Sequence, residues 1–256
     1  MGERTAGDMM FEAFARERGY ELSDHEPDLG STRRPDYVIS RDAERCVVEV
    51  KEFAPTTRSL PDQPGGGTTD AATVLRPVRS KLREAARQLK DVVDLGLPLV
   101  AALTNPHGAW VFLDEHHMVY AMYGDPVVRM TIDPTIGAAV GDPEPGVGRN
   151  GRLARDHQYI SAVVAISERD RAADWKETMR RRYAELPWLE RLNRIDEAAA
   201  RGECPEGTYH RARVFKTLSP TATPLPSVFF TGDDNQVFEP NDDGTAYVQV
   251  HGPSLT

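Results

Sequence analysis

Cysteine is almost absent from this 256-residue chain: Cys46 and Cys204 are its only two, far apart and in ordinary surroundings. Neither a disulfide framework nor a zinc ribbon can be built from them, and a reducing compartment is expected. Long apolar runs are also missing. The longest, residues 95–103, is nine residues and contains Gly96 and Pro98, whereas a spanning helix needs about 20. Glu3, Asp8 and Glu12 stand where a signal peptide would carry a basic head and an apolar stretch, and Ala6 breaks the myristoylation pattern. A cytoplasmic protein with no membrane partner is the expectation. Lysine is scarce, five against 26 arginines, and 31 basic against 40 acidic residues leave a formal charge of −9. That balance argues against a surface that coats nucleic acid throughout, but local patches remain able to bind it.

Residues 74–91 hold six basic side chains (Arg76, Arg79, Lys81, Arg83, Arg87 and Lys90) against Glu84 and Asp91. Residues 175–194 hold six more against three glutamates, whereas residues 233–243 are acidic with no basic residue. Each basic stretch is equally well a solvated helix face. Hydrophobic residues at 39% and charged residues at 28% fit a folded globular protein, and no internal repeat is present.

Apolar spacing predicts a helix over residues 4–18, with Met10, Phe11, Phe14 and Ala15 on one face and Gly19 just past its end. A short strand at residues 20–23 and a polar loop follow. Residues 36–40 and 45–53 are β-branched runs separated by residues 41–44, which predicts two antiparallel strands joined by a four-residue loop. Residues 54–72, rich in Pro, Gly, Ser and Thr and including Gly65–Gly67, predict a mobile surface loop. A long amphipathic helix over residues 74–95 and a buried strand over 97–103 complete a βαβ unit. Further on, residues 109–113 and 118–122 predict a hairpin, 141–151 a connector, 159–166 an inner strand, 174–201 a helical stretch broken at Pro187, and 209 onward short strands. The expected division is a core at residues 1–140 and an α+β extension at 152–256, packed on the core.

With residues 41–44 as the loop, paired positions sum to 85, and Asp36 lies opposite Glu49 with Cβ atoms about 4.5–5.5 Å apart. Alternation puts Lys51 on the same face as Glu49, and Val48 and Val50 on the other. Two carboxylates about 5 Å apart repel by roughly 3 kcal/mol at an effective dielectric near 20. A divalent cation would remove that cost, and ligands that are all oxygen suit Mg²⁺ or Mn²⁺ better than Zn²⁺. The plainer alternative is a surface ion cluster in which Lys51 neutralises both acids. Elsewhere, His116-His117 lacks metal-ligand spacing and Gly65–Gly67 lacks the Lys-Ser/Thr of a phosphate loop, so both are expected to be surface loop features. The segment 220–230, with Pro224, Pro226 and two Phe, is expected as an ordered edge of the second half.

Pro35-Asp36 followed by Glu49-Val50-Lys51 resembles the PD-(D/E)xK, or restriction-endonuclease-like, nuclease superfamily. The resemblance covers about residues 1–104. It implies an α/β fold with an α-β-β-β-α-β core, a mixed central sheet flanked by helices. It implies that Asp36 and Glu49 hold Mg²⁺ or Mn²⁺, that Lys51 orients or activates the attacking water, and that Glu12, on the first helix, assists metal binding. Gln88 resembles a glutamine of exonuclease-like branches, without the Tyr that follows it four residues later. The implied activity is hydrolysis of phosphodiesters, in DNA more than RNA, with Arg79, Lys81, Arg83 and Arg87 on the second helix meeting phosphates. The rival is a catalytically inactive nuclease-fold module for nucleic-acid binding or partner docking. The complete Asp-Glu-Lys set favours the enzyme. The overall acidity favours the rival, or an enzyme that a partner protein delivers to its substrate; a homodimer is the other association expected.

Overall fold

The structure is a computed structural model that describes residues 3–57, 70–148, 153–217, 219–241 and 246–252. Gly65–Gly67, with most of the expected loop at 54–72, lies outside them. In chain order the elements are α1 (Ala6–Glu17), β1 (Glu21–Leu22), β2 (Tyr37–Arg41), β3 (Glu44–Glu52), α2 (Ala71–Leu89) with a 3₁₀ turn at Lys90–Leu95, β4 (Leu99–Thr104), α3 (Glu115–Tyr123), β5 (Pro126–Asp133), β6 (Ala138–Val147), α4 (Leu153–Asp156), β7 (Ala162–Asp170), α5 (Arg171–Arg182), α6 (Trp188–Ala200), β8 (Thr208–Lys216), β9 (Gln236–Pro240) and β10 (Tyr247–His251). The fold is mixed α/β. Eight strands form one sheet in the order β1-β2-β3-β4-β7-β8-β9-β10, and β5 with β6 forms a separate two-stranded ribbon. Pairing is antiparallel for β1/β2, β2/β3 and β9/β10, and parallel for β3/β4, β4/β7 and β8/β9.

The β2–β3 hairpin keeps the expected register, Tyr37 opposite Val48, but its loop is shorter. Arg41 pairs with Glu44, leaving Asp42 and Ala43 at φ 51° and 67°. Two left-handed residues are what a two-residue loop matching the strand twist requires. Both loops share one midpoint, so the pairing is the same. α2 begins at Ala71 rather than residue 74, because the Asp70 side chain accepts the Thr73 N–H at 2.8 Å and caps the helix.

The sheet buries both faces. Val38, Val47, Phe53, Leu99, Ala101 and Leu103 pack with Val78, Leu82 and Leu89 of α2, and with Met118 and Met122 of α3. Tyr37, Ile39, Val48, Val50 and Val100 pack with Phe11 and Phe14 of α1. The segment expected as an edge of the second half instead covers α1: Phe230 stacks on Phe14 with centroids 6.0 Å apart, and its N–H donates to the Tyr20 hydroxyl at 2.5 Å.

Three expectations are corrected. The hairpin expected over residues 109–122 is replaced by α3, started by Asp114, whose carboxylate accepts the His117 N–H at 3.1 Å; a short apolar run such as Met118–Met122 has no period to tell helix from strand. His117 therefore sits on a helix, stacked on Phe112 with centroids 4.5 Å apart. The connector expected at 141–151 is in its first part the strand β6; Pro143 and Pro145 are tolerated because both strands of a two-stranded ribbon are edges. The division at 140–152 does not separate compact units. One unit comprises residues 1–166 and 212–256, because β7 pairs in parallel with β4 and extends the first half's sheet. The other, Ser167–Arg211, is a helical pair in which Met179, Ile195 and Ala198 form a small core. Inside it Asp174 ion-pairs with Arg169 and accepts the Tyr209 hydroxyl at 2.7 Å. Among the described residues, no helix is long and apolar enough to cross a membrane.

Candidate active site

β3 lies between β2 and β4, so its middle residues are covered from both sides, and Glu49, opposite Ala101 of β4, is fully buried. Side-chain alternation aims Glu49 and Lys51 to the α2 face, between Val47 and Phe53, and leaves Val48 and Val50 to the α1 face. Asp36 precedes β2 by one residue and continues the register to meet Glu49. Its Oδ2 accepts the Val50 N–H at 2.7 Å. Lys51 Nζ pairs with Glu49 Oε1, while Glu49 Oε2 is buried without a hydrogen-bond partner among the described residues.

Charge at this point is only partly balanced. Burial, and next the neighbouring Asp36 charge, push the Glu49 carboxyl up to about 8 against the opposing pull of Lys51. Burial also raises Asp36 above the ordinary carboxylate range, with Asp8 adding to the rise while Lys51 and the Val50 N–H act against it. Two acids with raised affinity for protons and one unpartnered oxygen form a site that favours added positive charge. The side chains of Asp36 and Lys51 remain 15% and 16% exposed, so the site can be reached from solvent.

Glu12 is not among them. Its carboxylate takes Arg16 at 2.7 Å and Arg4 at 3.1 Å and accepts the Tyr37 hydroxyl at 3.0 Å. The residue of α1 that does reach Asp36 is Asp8, one turn earlier. It comes close because α1 starts almost in contact with the sheet: the Gly7 N–H donates to Glu52 Oε2 at 2.6 Å, and a Cβ on Gly7 would stand 2.6 Å from Thr104 Oγ1. His25 completes the group, its Nε2 lying 3.6 Å from Asp8 Oδ2 and 3.9 Å from Asp36 Oδ1. Asp8, His25 and Asp36 each bring one ligand atom within 4.8 Å of the other two. A ligand set without histidine therefore misses the imidazole beside Asp36. The i, i+4 spacing of Asp8 and Glu12 is a signal that both share a helix face; nothing local marks His25, which arrives from the loop after β1.

Comparison with protein-family models, curated proteins and solved structures finds no match to this chain. Function therefore rests on the chemistry of the site itself.

The basic stripe of α2 divides. Arg79 is buried, ion-paired to Asp125 at 2.7 Å and donating to the Tyr120 carbonyl at 2.8 Å, so it ties α2 to the end of α3 and is withdrawn from any phosphate surface. Lys81 pairs with Glu84 at 3.2 Å. Arg83 and Arg87 are exposed. Together with Lys90 they lie near enough to His157 to join burial, the larger cause, in lowering its pKa.

Proposed function

We propose that this chain is a metal-dependent nuclease of restriction-endonuclease-like type, acting on DNA more than RNA, with Asp36 and Glu49 as metal ligands and Lys51 as the residue that serves the attacking water. The observation that carries it is Glu49, fully buried beside Asp36 and Lys51, with one of its oxygens unpartnered among the described residues. The order α1, β1, β2, β3, α2, β4, with β3 and β4 parallel, supports the same reading. All donors of the pair are carboxylate oxygens, a set that fits Mg²⁺ or Mn²⁺.

A divalent cation held there would supply a Lewis acid for the phosphodiester and a counter-charge for the negative charge that develops on it. The protein's own groups do the rest. The Val50 N–H fixes Asp36 by its Oδ2. The Lys51 ammonium uses one donor on Glu49, and its remaining two are available to orient a water and contact a non-bridging phosphate oxygen. Hydrolysis joins the water oxygen to phosphorus and releases a bridging oxygen, which leaves with a proton. The exposed Arg83 and Arg87 are the cations this reading assigns to the phosphate backbone.

The closure of Lys51 on Glu49 also favours the rival, an inactive module of the same fold. Incubation of supercoiled, linear and single-stranded DNA with Mg²⁺, Mn²⁺ or EDTA separates them. Cleavage with metal and none with EDTA is expected; intact DNA under every condition would leave the module.

A further inference from the structure

We propose that Asp8, His25 and Asp36 form a second cation position beside the Asp36–Glu49 pair, one that takes a first-row transition ion such as Mn²⁺ in preference to Mg²⁺. The proposal deepens the nuclease reading by adding a metal to the same site, but its geometry does not depend on any activity.

His25 is 7% exposed, and neither of its ring nitrogens has a hydrogen-bond partner among the described residues. A buried imidazole without a bond is costly, since both nitrogens give up water. Its Nε2 nevertheless points between two carboxylate oxygens at 3.6 and 3.9 Å. Those separations are too long for hydrogen bonds. Both fall in the range open to ligands of one interposed ion, since atoms held about 2.1 Å from a cation stand roughly 3.0–4.2 Å apart. All three ligands are held by neighbouring structure. Asp8 receives the Thr5 N–H at 2.9 Å in the capping box of α1, Asp36 is held by Val50, and the His25 ring lies against Tyr37 with centroids 5.3 Å apart.

Two carboxylates and one imidazole are a mixed donor set. Mg²⁺ prefers oxygen ligands and keeps its water, whereas Mn²⁺ and later ions accept a nitrogen. Asp36 belongs to both positions, one oxygen facing His25 and the carboxyl as a whole lying beside Glu49. A bridging carboxylate of this kind is how a phosphoryl-transfer site holds two cations.

The test is titration of the full chain with Mn²⁺, read by electron paramagnetic resonance, for wild type, His25→Gln and Glu49→Gln. The expected result is two ions per wild-type chain, with His25→Gln weakening one of them about 100-fold or more and Glu49→Gln weakening the other. A single ion that is lost in His25→Gln and kept in Glu49→Gln would support this position while removing the Asp36–Glu49 site. Unchanged Mn²⁺ binding in His25→Gln would overturn the proposal. Should His25→Gln unfold, spin-echo modulation of Mn²⁺ in the wild-type protein decides: ¹⁴N coupling from an imidazole supports direct ligation, and its absence contradicts it.

Discussion

Glu49 and Arg79 are both buried charges on the same side of the sheet, and they have opposite meanings. Arg79 meets a carboxylate and a carbonyl, so its charge is neutralised within the fold and serves to join α2 to the end of α3. Glu49 meets one cation but also a second acid, so its charge is not balanced within the fold; a buried atom without a hydrogen-bond partner among the described residues is common to both, Glu49 Oε2 and Arg79 Nε. A balanced buried charge is part of the architecture. An unbalanced one is an unfilled demand for a ligand, and only the latter is a good guide to chemistry. Spacing along the sequence presents the carboxylate pair and the arginine stripe as equally promising; burial and partners separate them.

Removing the cation on the Glu49 side has the largest expected consequence. Lys51→Ala should lower metal-dependent cleavage by about 10²-fold or more while DNA binding persists, the scale of losing one electrostatic or proton-transfer contributor. Lys51→Arg should restore charge without the full rate. Steady-state cleavage rates at saturating metal measure both, and a wild-type rate in Lys51→Ala would remove Lys51 from the mechanism.

The arginines sharpen the contrast within a single helix. Arg79→Ala leaves Asp125 without its cation and should cost about 2–3 kcal/mol in urea unfolding, below the full range for a broken buried pair because Asp125 is partly exposed. Arg83→Ala should leave stability unchanged and reduce the salt slope of DNA binding by about one. If Arg79→Ala proves neutral and Arg83→Ala destabilises, the roles assigned to the two are reversed. The smallest effect concerns the turn that sets the register of the acids. Ala43 holds φ 67°, so Ala43→Gly should stabilise by about 0.5–1 kcal/mol, visible as a raised melting temperature.

Much of this site was legible because a hairpin needs only alternation and a midpoint. Asp36 and Glu49 follow from the centre of their loop, and Lys51 from a period of two. The helix expected over residues 74–95 was equally plain from its 3.6-residue pattern, and the strand expected over 97–103 from its apolar run; both are present with shifted ends. Asp8 and His25 were not, since their proximity to Asp36 arises from tertiary contacts: the glycine-permitted approach of α1 to β3 and β4, and a loop that returns over Tyr37. The continuation of the sheet through β7 to β10 was hidden for the same reason. Pairing of β4 with β7 joins residues some 60 apart, and no local pattern in either strand specifies its neighbour.

The most direct measurement of the central claim is thermal unfolding of wild type and Glu49→Gln with and without Mg²⁺ across pH 5 to 8.5. A carboxyl raised from 4.5 to about 8 binds its proton more tightly in the folded chain, so metal-free wild type should lose stability as pH rises through that window, relative to a flat Glu49→Gln. At pH 8, Mg²⁺ should raise the wild-type melting temperature and leave Glu49→Gln unmoved, because the ion binds the folded carboxylate pair and not the unfolded chain. Equal responses of the two proteins to both pH and Mg²⁺ would contradict the account, and Glu49 would then be a buried acid without a metal to hold.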